Sequence, residues 1–248
     1  IEGKFDQLQR TLPYSAWSQA LTQLVNNWLA ESEANLARWR EGILEAVGDN
    51  GQVLIDVIPV LERIIGPQPE VPQLGGLENQ NRFKDTFNRF ISSLATPEHP
   101  LVVFLDDLQW IDPASLNLIE ALVAVQSDSS LLVVGAYRDN EVGSNHPLAA
   151  SQSRMSGNGD SVTIVTLADL KSVDVDNLLA DSLQLPIADC RDLSQGLREK
   201  TAGNPFYFRQ QLFALVTEEL LSFDRQQGRW VWEAELQQSL QAGGNVVD

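Results

Sequence analysis

Three continuous apolar runs constrain the fold of this 248-residue chain more than any other feature of its sequence. They are "LVVFL" (101–105), "LLVVGA" (131–136) and "TIVTL" (163–167). None of them alternates apolar with polar residues, and such runs are typical of strands buried on both faces of a parallel sheet. Because helical segments separate strands of this kind, the sequence predicts β-α-β crossovers and an α/β fold.

Apolar residues at helical spacing occupy most of the remaining chain. A helix is predicted at 113–126, between the first two runs, with Asp112 as its N-cap and Pro113 as its first residue. The segment 51–66 is rich in β-branched residues but contains Pro59, so the sequence leaves helix and strand both open there. Further helices are predicted at 14–30, 34–47, 77–95, 171–184, 188–202 and 205–221.

The strand pattern stops at about residue 169, which predicts two domains. We expect residues 1–168 to form the α/β core and residues 169–248 to form a smaller, mostly helical region. Within that region, "LLSFDRQQGRWVW" (220–232) predicts a β-hairpin, because two apolar arms flank a polar turn that contains glycine.

Composition excludes several classes of protein. The formal net charge is −17, so the chain lacks the surplus of Lys and Arg that nucleic-acid binding requires. No apolar run approaches the ~20 residues that span a bilayer, so no membrane segment is predicted. The single cysteine, Cys190, excludes an internal disulfide framework and favours the cytoplasm. His99 and His146 have no metal-ligand partner at useful spacing, and we expect structural roles for them.

Polar residues follow two of the predicted strands where ligands of open parallel sheets bind. Asp106 and Asp107 follow the first run, and Arg138 follows the second. Two carboxylates and an arginine at neighbouring strand ends suit Mg²⁺-nucleotide chemistry. In the alternative interpretation, the acids complement the start of the next helix and Arg138 pairs with a surface acid. Asp112 is better placed than either Asp106 or Asp107 to be the helix cap.

At these residues the sequence resembles a known family. The segment "LVVFLDDLQWIDPASLNLI" looks like the Walker B strand of the STAND class of AAA-related P-loop ATPases. Further segments resemble one subfamily, the ATPase-like region of large sensor kinases. They are "GKFDQLQRTLPYSA", "GQVLIDVIPVLERIIG", "GAYRDNEV…HPL", "GNPFY" and "LLSF" followed by a tryptophan-containing strand. In that subfamily the region lies between a serine/threonine kinase domain and C-terminal GAF and histidine kinase domains, which the resemblance implies as partners.

The resemblance implies a role for each matching residue. Asp106 would be the acid associated with Mg²⁺, directly or through water, and Asp107 the acid that positions the attacking water. Arg138, which ends the G-x-x-R sensor strand, would contact the terminal phosphate of ATP. Gly203, Asn204 and Pro205 match an element that lies near the adenine, although the same three residues also fit a helix C-cap, an N-cap and a first helical residue.

One departure from the family is large, because no G-x-x-x-x-G-K-[ST] phosphate loop occurs in the sequence. The only Gly-Lys pair is Gly3-Lys4, and Phe5 follows it. The resemblance makes Ile1 to Phe5 the second strand of a P-loop NTPase-like sheet whose central first strand and phosphate loop are absent. We therefore expect an internal fragment of a longer polypeptide, with a gapped, rearranged or marginal sheet.

The sequence leaves two functions open. The first is an ATP-dependent conformational switch in the parent protein, with ATP and Mg²⁺ as cofactors of the complete domain. The fragment alone is expected to hold the nucleotide poorly and to show little or no hydrolysis. In that interpretation 1–168 is an incomplete ATPase core and 169–248 a helical lid with a winged-helix-like hairpin. The second is a non-catalytic ATPase-like scaffold that links kinase domains or self-associates. A receiver-type phospho-acceptor is a third hypothesis. It needs a lysine at a neighbouring strand end, and Lys171, which follows the run 163–167, is too weak a match to pursue.

Overall fold

The computed structural model describes residues 1–9, 12–72, 75–125, 130–157, 162–232 and 236. The chain divides into two compact units, Ile1–Thr163 and Ile164–Asp248. The assignment of these parts to an ATPase core and a lid stays a prediction. No helix in the described ranges is long and apolar enough to cross a membrane.

The first unit combines a parallel sheet with seven helices among its described residues. Its strands are β1 (Glu2–Lys4), β2 (Leu101–Asp106) and β3 (Leu131–Gly135). Its helices are α1 (Ser15–Trp28), α2 (Glu33–Val47), α3 (Gly51–Ile55), α4 (Glu62–Ile65), α5 (Gly76–Leu94), α6 (Pro113–Val125) and α7 (Pro147–Ser156). The α/β class is therefore confirmed. The ambiguous segment 51–66 forms α3 and α4, with a 3-10 turn that starts at Pro59 between them.

The sheet has the strand order β1-β2-β3, and both pairs are parallel. Its register places Lys4 beside Asp106 and Leu105 beside Gly135. The three strands pair without a gap, so the gap expected from the family pattern does not fall between them. Gly3 allows β1 to approach α1 closely, because a Cβ atom there would lie 2.0 Å from the carbonyl oxygen of Ala16.

Only one face of the sheet is buried, so the prediction of strands buried on both faces is wrong. Leu101, Val103 and Leu105 point into the core of the first unit, where Trp17 and Phe87 form an edge-to-face pair. The opposite face exposes four large apolar side chains, those of Val102, Phe104, Leu132 and Val134. An apolar run shows that a strand can be covered on both faces, but the covering element must come from elsewhere.

The third predicted strand, at 163–167, is also wrong. These residues belong to no strand, and Ile164, Val165 and Leu167 are exposed. A strand needs a neighbour for its backbone hydrogen bonds, and the described residues give this run none. Pattern alone therefore predicted a strand for which the described part of the chain offers no pairing partner.

The second unit is helical with one hairpin. Its helices are α8 (Ser172–Leu183), α9 (Ile187–Thr201) and α10 (Pro205–Thr217). Strands β4 (Leu221–Asp224) and β5 (Arg229–Trp232) pair in antiparallel fashion, which confirms the predicted hairpin. A separate hydrophobic core, which includes the buried Cys190, holds this unit together. The part of 169–248 that follows Trp232 lies, except for residue 236, outside the described residues.

Candidate functional site

The two predicted acids lie together at the carboxyl end of β2, and a lysine joins them. The Lys4 Nζ atom lies 3.0 Å from Asp106 Oδ2 and 2.7 Å from Asp107 Oδ2. Lys4 reaches both acids because the sheet register sets it beside Asp106. The sequence analysis assigned no role to Lys4, and a contact across 102 positions leaves no local signal in the sequence.

An unusual backbone conformation directs Asp107 away from the strand. Its φ of 55° and ψ of 44° are left-handed, which aspartate tolerates better than most residues. The Asp107 N–H donates to Asp106 Oδ1 at 2.9 Å. The chain then enters a 3-10 turn over Leu108–Trp110, and the Asp107 side chain is 9% exposed against 39% for Asp106. Adjacent acids are thus given different environments.

Gln109 connects the ends of β2 and β3, and the sequence analysis missed it. This side chain is 2% exposed. Its Nε2 donates to Asp107 Oδ1 at 2.8 Å, and its Oε1 accepts from the Arg138 N–H at 3.3 Å. The available signal was its position two residues after the second acid in "DDLQW".

His146 supports this turn from α7, in the structural role that was expected of it. Its Nδ1 accepts from the Leu148 N–H at 3.1 Å, which caps α7. The ring must then be protonated on Nε2 if it is neutral, and Nε2 lies 3.1 Å from the Gln109 carbonyl oxygen. His146 therefore holds the backbone of Gln109 while the Gln109 side chain holds Asp107.

Arg138 follows β3 as predicted, but its guanidinium contacts an acid on its own turn. Arg138 Nη1 lies 3.4 Å from Glu141 Oε1, and the arginine side chain is 64% exposed. The alternative of a surface ion pair is therefore realised in this structure, and a phosphate contact stays a prediction.

Gly135, at the end of β3, lets the Leu108 side chain pack against the backbone of that strand, because a Cβ atom there would lie 2.3 Å from Leu108 Cδ1.

Lys4 and the acid pair each stabilise the charged form of the other. Burial acts to raise the pKa of Asp107, but hydrogen bonds from Lys4 and Gln109 and the charges of Lys4 and Arg138 lower it overall. Hydrogen bonds to Asp107 and Asp106 raise the pKa of Lys4 above its ordinary value. Lys4 and Asp107 are therefore both charged at neutral pH.

Asp112 is a helix cap and no part of this cluster, as the sequence predicted. Its Oδ1 accepts from the Ser115 N–H at 2.9 Å, and its Oδ2 accepts from Ser115 Oγ at 2.6 Å. The Tyr14 N–H also donates to Asp112 Oδ2, at 3.3 Å. Helix α6 begins at Pro113, as expected.

Gly203, Asn204 and Pro205 lie in the second unit and form a tight junction between α9 and α10. Asn204 caps α10, because its Oδ1 accepts from the N–H groups of Phe206 and Tyr207. Gly203 has a φ of 81° and its carbonyl accepts from the Leu170 N–H at 2.8 Å. The local interpretation of this motif is thus realised, and the contact with adenine stays a prediction.

The donor atoms of the acid pair fit a magnesium ion. Asp106 Oδ2 and Asp107 Oδ2 converge on one point, now held by a cationic ammonium group. Mg²⁺ binds in proteins through one or two carboxylates and keeps several waters, or takes phosphate oxygens in their place. The described residues contain no group of three or more His, Cys, Asp or Glu side chains that could hold a metal ion, so a bound ion would need those other ligands.

A cavity of about 540 Å³ adjoins the cluster. Polar and aromatic side chains line it, namely those of Lys4, Phe5, Asp6, Ser15, Gln19 and Trp110. The ends of the strands therefore have space beside them as well as charge.

Comparison with known proteins supports an AAA-type ATPase region. Residues 1–134 match the model of the AAA ATPase domain, a range that includes the acid pair and Lys4. The whole chain aligns at 29% identity, over 317 positions, with the hybrid signal transduction histidine kinase G of Dictyostelium discoideum, and it spans 9% of that protein's length. No solved structure matches the chain. With more than half of its residues matched by the family model, the chain belongs to the AAA ATPase domain family.

Proposed function

We propose that this chain is an ATP-binding segment of a multidomain signalling kinase and works there as an ATP-dependent conformational switch. The observation that carries the proposal is the convergence of Asp106 and Asp107 at the carboxyl end of β2, with Arg138 following the neighbouring strand. Ligands of open parallel sheets bind at this edge. The similarity to a hybrid histidine kinase supports the signalling context. The resemblance of the sequence to the ATPase-like region of STAND-type sensor kinases supports the finer assignment.

Each site residue predicted from the sequence has a proposed task. Asp106 holds Mg²⁺, directly or through a water molecule, and the ion when bound would neutralise phosphate charge. Asp107 accepts a hydrogen bond from the attacking water, and its lowered pKa keeps it available as an acceptor. Arg138 leaves Glu141 to stabilise charge on the terminal phosphate. Gly203, Asn204 and Pro205 lie near the adenine in the nucleotide-bound state.

The proposal needs a phosphate-binding segment that the 248 residues do not contain. A phosphate loop supplies backbone N–H groups, a lysine and a metal-binding hydroxyl. Without them, two acids and one arginine hold a polyphosphate poorly. We therefore propose that another part of the parent kinase supplies this segment. We also propose that the parent kinase acts in the cytoplasm and that its kinase, GAF and histidine kinase domains are the partners of this chain.

The decisive test is calorimetry with Mg²⁺-ATP on this chain and on a parent chain that includes the preceding strand and phosphate loop. We expect binding by the longer chain only. In the longer chain, Asp107→Asn should abolish phosphate release while nucleotide binding persists, and Asp139→Asn, an exposed acid beside Arg138, should leave both intact. Unchanged phosphate release in the Asp107→Asn variant would refute the assignment.

A non-catalytic scaffold is the second candidate, and one observation favours it. The exposed apolar face of the sheet, formed by Val102, Phe104, Leu132 and Val134, offers a surface for another domain or a second copy. The same experiment separates the two functions, because a scaffold would bind no Mg²⁺-ATP in either length of chain.

A further inference from the structure

Lys4 occupies the position that a metal ion would take between the two acids. Its Nζ atom lies within 3.0 Å of one oxygen of each carboxylate. The backbone of this strand end is fixed, because the Lys4 N–H donates to Gln19 Oε1 at 2.8 Å and the Phe5 N–H donates to the Asp106 carbonyl at 3.1 Å. The ammonium group is therefore presented to the acids by the fold.

All four carboxylate oxygens of the acid pair accept hydrogen bonds from the protein. Asp106 Oδ1 accepts from the Asp107 N–H, and Asp107 Oδ1 accepts from Gln109 Nε2. The two remaining oxygens, both Oδ2, accept from Lys4. A metal ion approaching the cluster thus meets the like charge of the Lys4 ammonium group, which repels it, and oxygens that already have partners.

We propose that Lys4 is a tethered cation that blocks the metal position, so that Mg²⁺ binds the acid pair only by displacing the Lys4 ammonium group. This inference rests on the proposed function, because it takes Asp106 as the acid that holds Mg²⁺ and Asp107 as the neighbouring acid that contacts the same ammonium group. It adds a gating residue in β1 that determines how readily the pair accepts a metal ion.

The structure gives the displaced ammonium a place to go. The lysine side chain is 59% exposed, so its ammonium group can leave the acids for solvent. The adjoining cavity is lined by Asp6, Ser15 and Gln19, whose oxygen atoms can accept hydrogen bonds from an ammonium group. Metal loading would therefore move a side chain on β1, next to α1.

Calorimetric titration of this chain with Mg²⁺, without nucleotide, tests the proposal. The Lys4→Met variant should bind Mg²⁺ about fivefold more tightly than the unmodified chain, the upper end of the range for the loss of an exposed ionic contact. Lys4→Arg keeps the cation and should bind Mg²⁺ as weakly as the unmodified chain. Lys84→Met is the matched control, because it makes the same charge change on α5. Equal affinity in the Lys4→Met and Lys84→Met variants would overturn the proposal.

Two further measurements locate the effect. Adding Asp106→Asn to the Lys4→Met variant should remove the gain in affinity. Retention of the gain would place the metal elsewhere and reject the proposed blocking role of Lys4.

Acetylation followed by mass spectrometry uses the unmodified chain, so its result does not depend on whether a variant folds. Mg²⁺ should raise the labelling rate of Lys4 relative to Lys84, and an unchanged ratio at Mg²⁺ concentrations that occupy the site would contradict displacement.

These outcomes are independent of nucleotide hydrolysis. A Lys4→Met variant without the gain rejects the gate and leaves the ATPase assignment to be decided by the Asp107→Asn variant of the longer chain. Conversely, unchanged phosphate release in that longer variant rejects the catalytic role of Asp107, while the Mg²⁺ titration still reports on Lys4.

Discussion

Gln109 Nε2 donates a hydrogen bond to Asp107 Oδ1 at 2.8 Å, and both side chains are buried. The glutamine reaches the acid because the left-handed backbone of Asp107 starts a 3-10 turn that brings residue 109 back toward the strand end. The same amide accepts from the Arg138 N–H. One side chain therefore sets the position of the proposed water-positioning acid and of the strand that carries the proposed sensor.

Replacing Gln109 with leucine should destabilise the first unit by about 1–3 kcal/mol, because buried polar groups lose their partners. Asp107 Oδ1 would lose its amide donor and the Arg138 N–H would lose its acceptor. Urea denaturation followed by far-ultraviolet circular dichroism measures the change. Gln80→Leu is the matched control, since Gln80 is exposed on α5, and it should change the free energy of unfolding by less than about 0.5 kcal/mol. Equal losses in the two variants would contradict the network.

Acid should weaken the contribution of Asp107 to stability. Its pKa is below the ordinary value of 3.8 in the folded chain, so its stabilising effect is present above that value and is lost as the pH falls through the lower, folded pKa. The difference in unfolding free energy between the unmodified chain and Asp107→Asn should therefore be constant from pH 7 to about 5 and should shrink below about 3.8. A difference that grows on acidification would reverse the assigned sign.

A rise in pH should weaken the contribution of Lys4 to stability. Hydrogen bonds to Asp107 and Asp106 raise its pKa above 10.5, so its contribution is present below that value and is lost as the pH rises through the folded pKa. The free-energy difference between the unmodified chain and Lys4→Met should persist at pH 9 and decrease above about 10.5. Denaturation curves at fixed ionic strength check this, and a difference already lost at pH 8 would contradict it.

Much of the fold could be predicted where a structural feature is formed by residues that are close together in the sequence. Asp112 and Pro113 fix the start of α6 through a cap and a preset backbone angle. The hairpin at 220–232 follows from two apolar arms around a polar turn, and it forms as β4 and β5. The acids of the site were found for the same reason, since they directly follow a recognisable strand.

The features that the sequence did not predict depend on partners far along the chain. The contact of Lys4 with the acids arises from the pairing of β1 with β2, and the pattern of either strand contains no trace of it. The run 163–167 has strand-like composition but lacks a neighbour to pair with in the described structure. Val102 and Phe104 are apolar yet exposed, because burial depends on what packs against a face.

The cap at Asp112 is buried, and its loss should destabilise the first unit. Asp112→Ala removes the acceptor of the Ser115 and Tyr14 N–H groups, and the loss should be about 1–2 kcal/mol. Asp112→Asn keeps one oxygen for the cap and should lose less. Thermal unfolding of both variants beside Asp85→Ala, an exposed acid on α5, gives the comparison. An alanine variant as stable as the Asp85 control would show that the cap contributes nothing.

Three glycines of the first unit should respond to alanine in an order set by what the new methyl group meets. At Gly3 it would lie 2.0 Å from a backbone oxygen of Ala16, which cannot move without shifting α1. At Gly135 it would meet the Leu108 side chain at 2.3 Å, which can rotate away at a cost of about 1–3 kcal/mol. At Gly42, inside α2, nothing lies within 4 Å, so alanine should stabilise the helix by about 0.5–1 kcal/mol. Melting temperatures should therefore fall most for Gly3→Ala, less for Gly135→Ala and rise for Gly42→Ala. If Gly3→Ala proved as stable as Gly42→Ala, β1 would not lie against α1, and the register that brings Lys4 to the acid pair would lose its support.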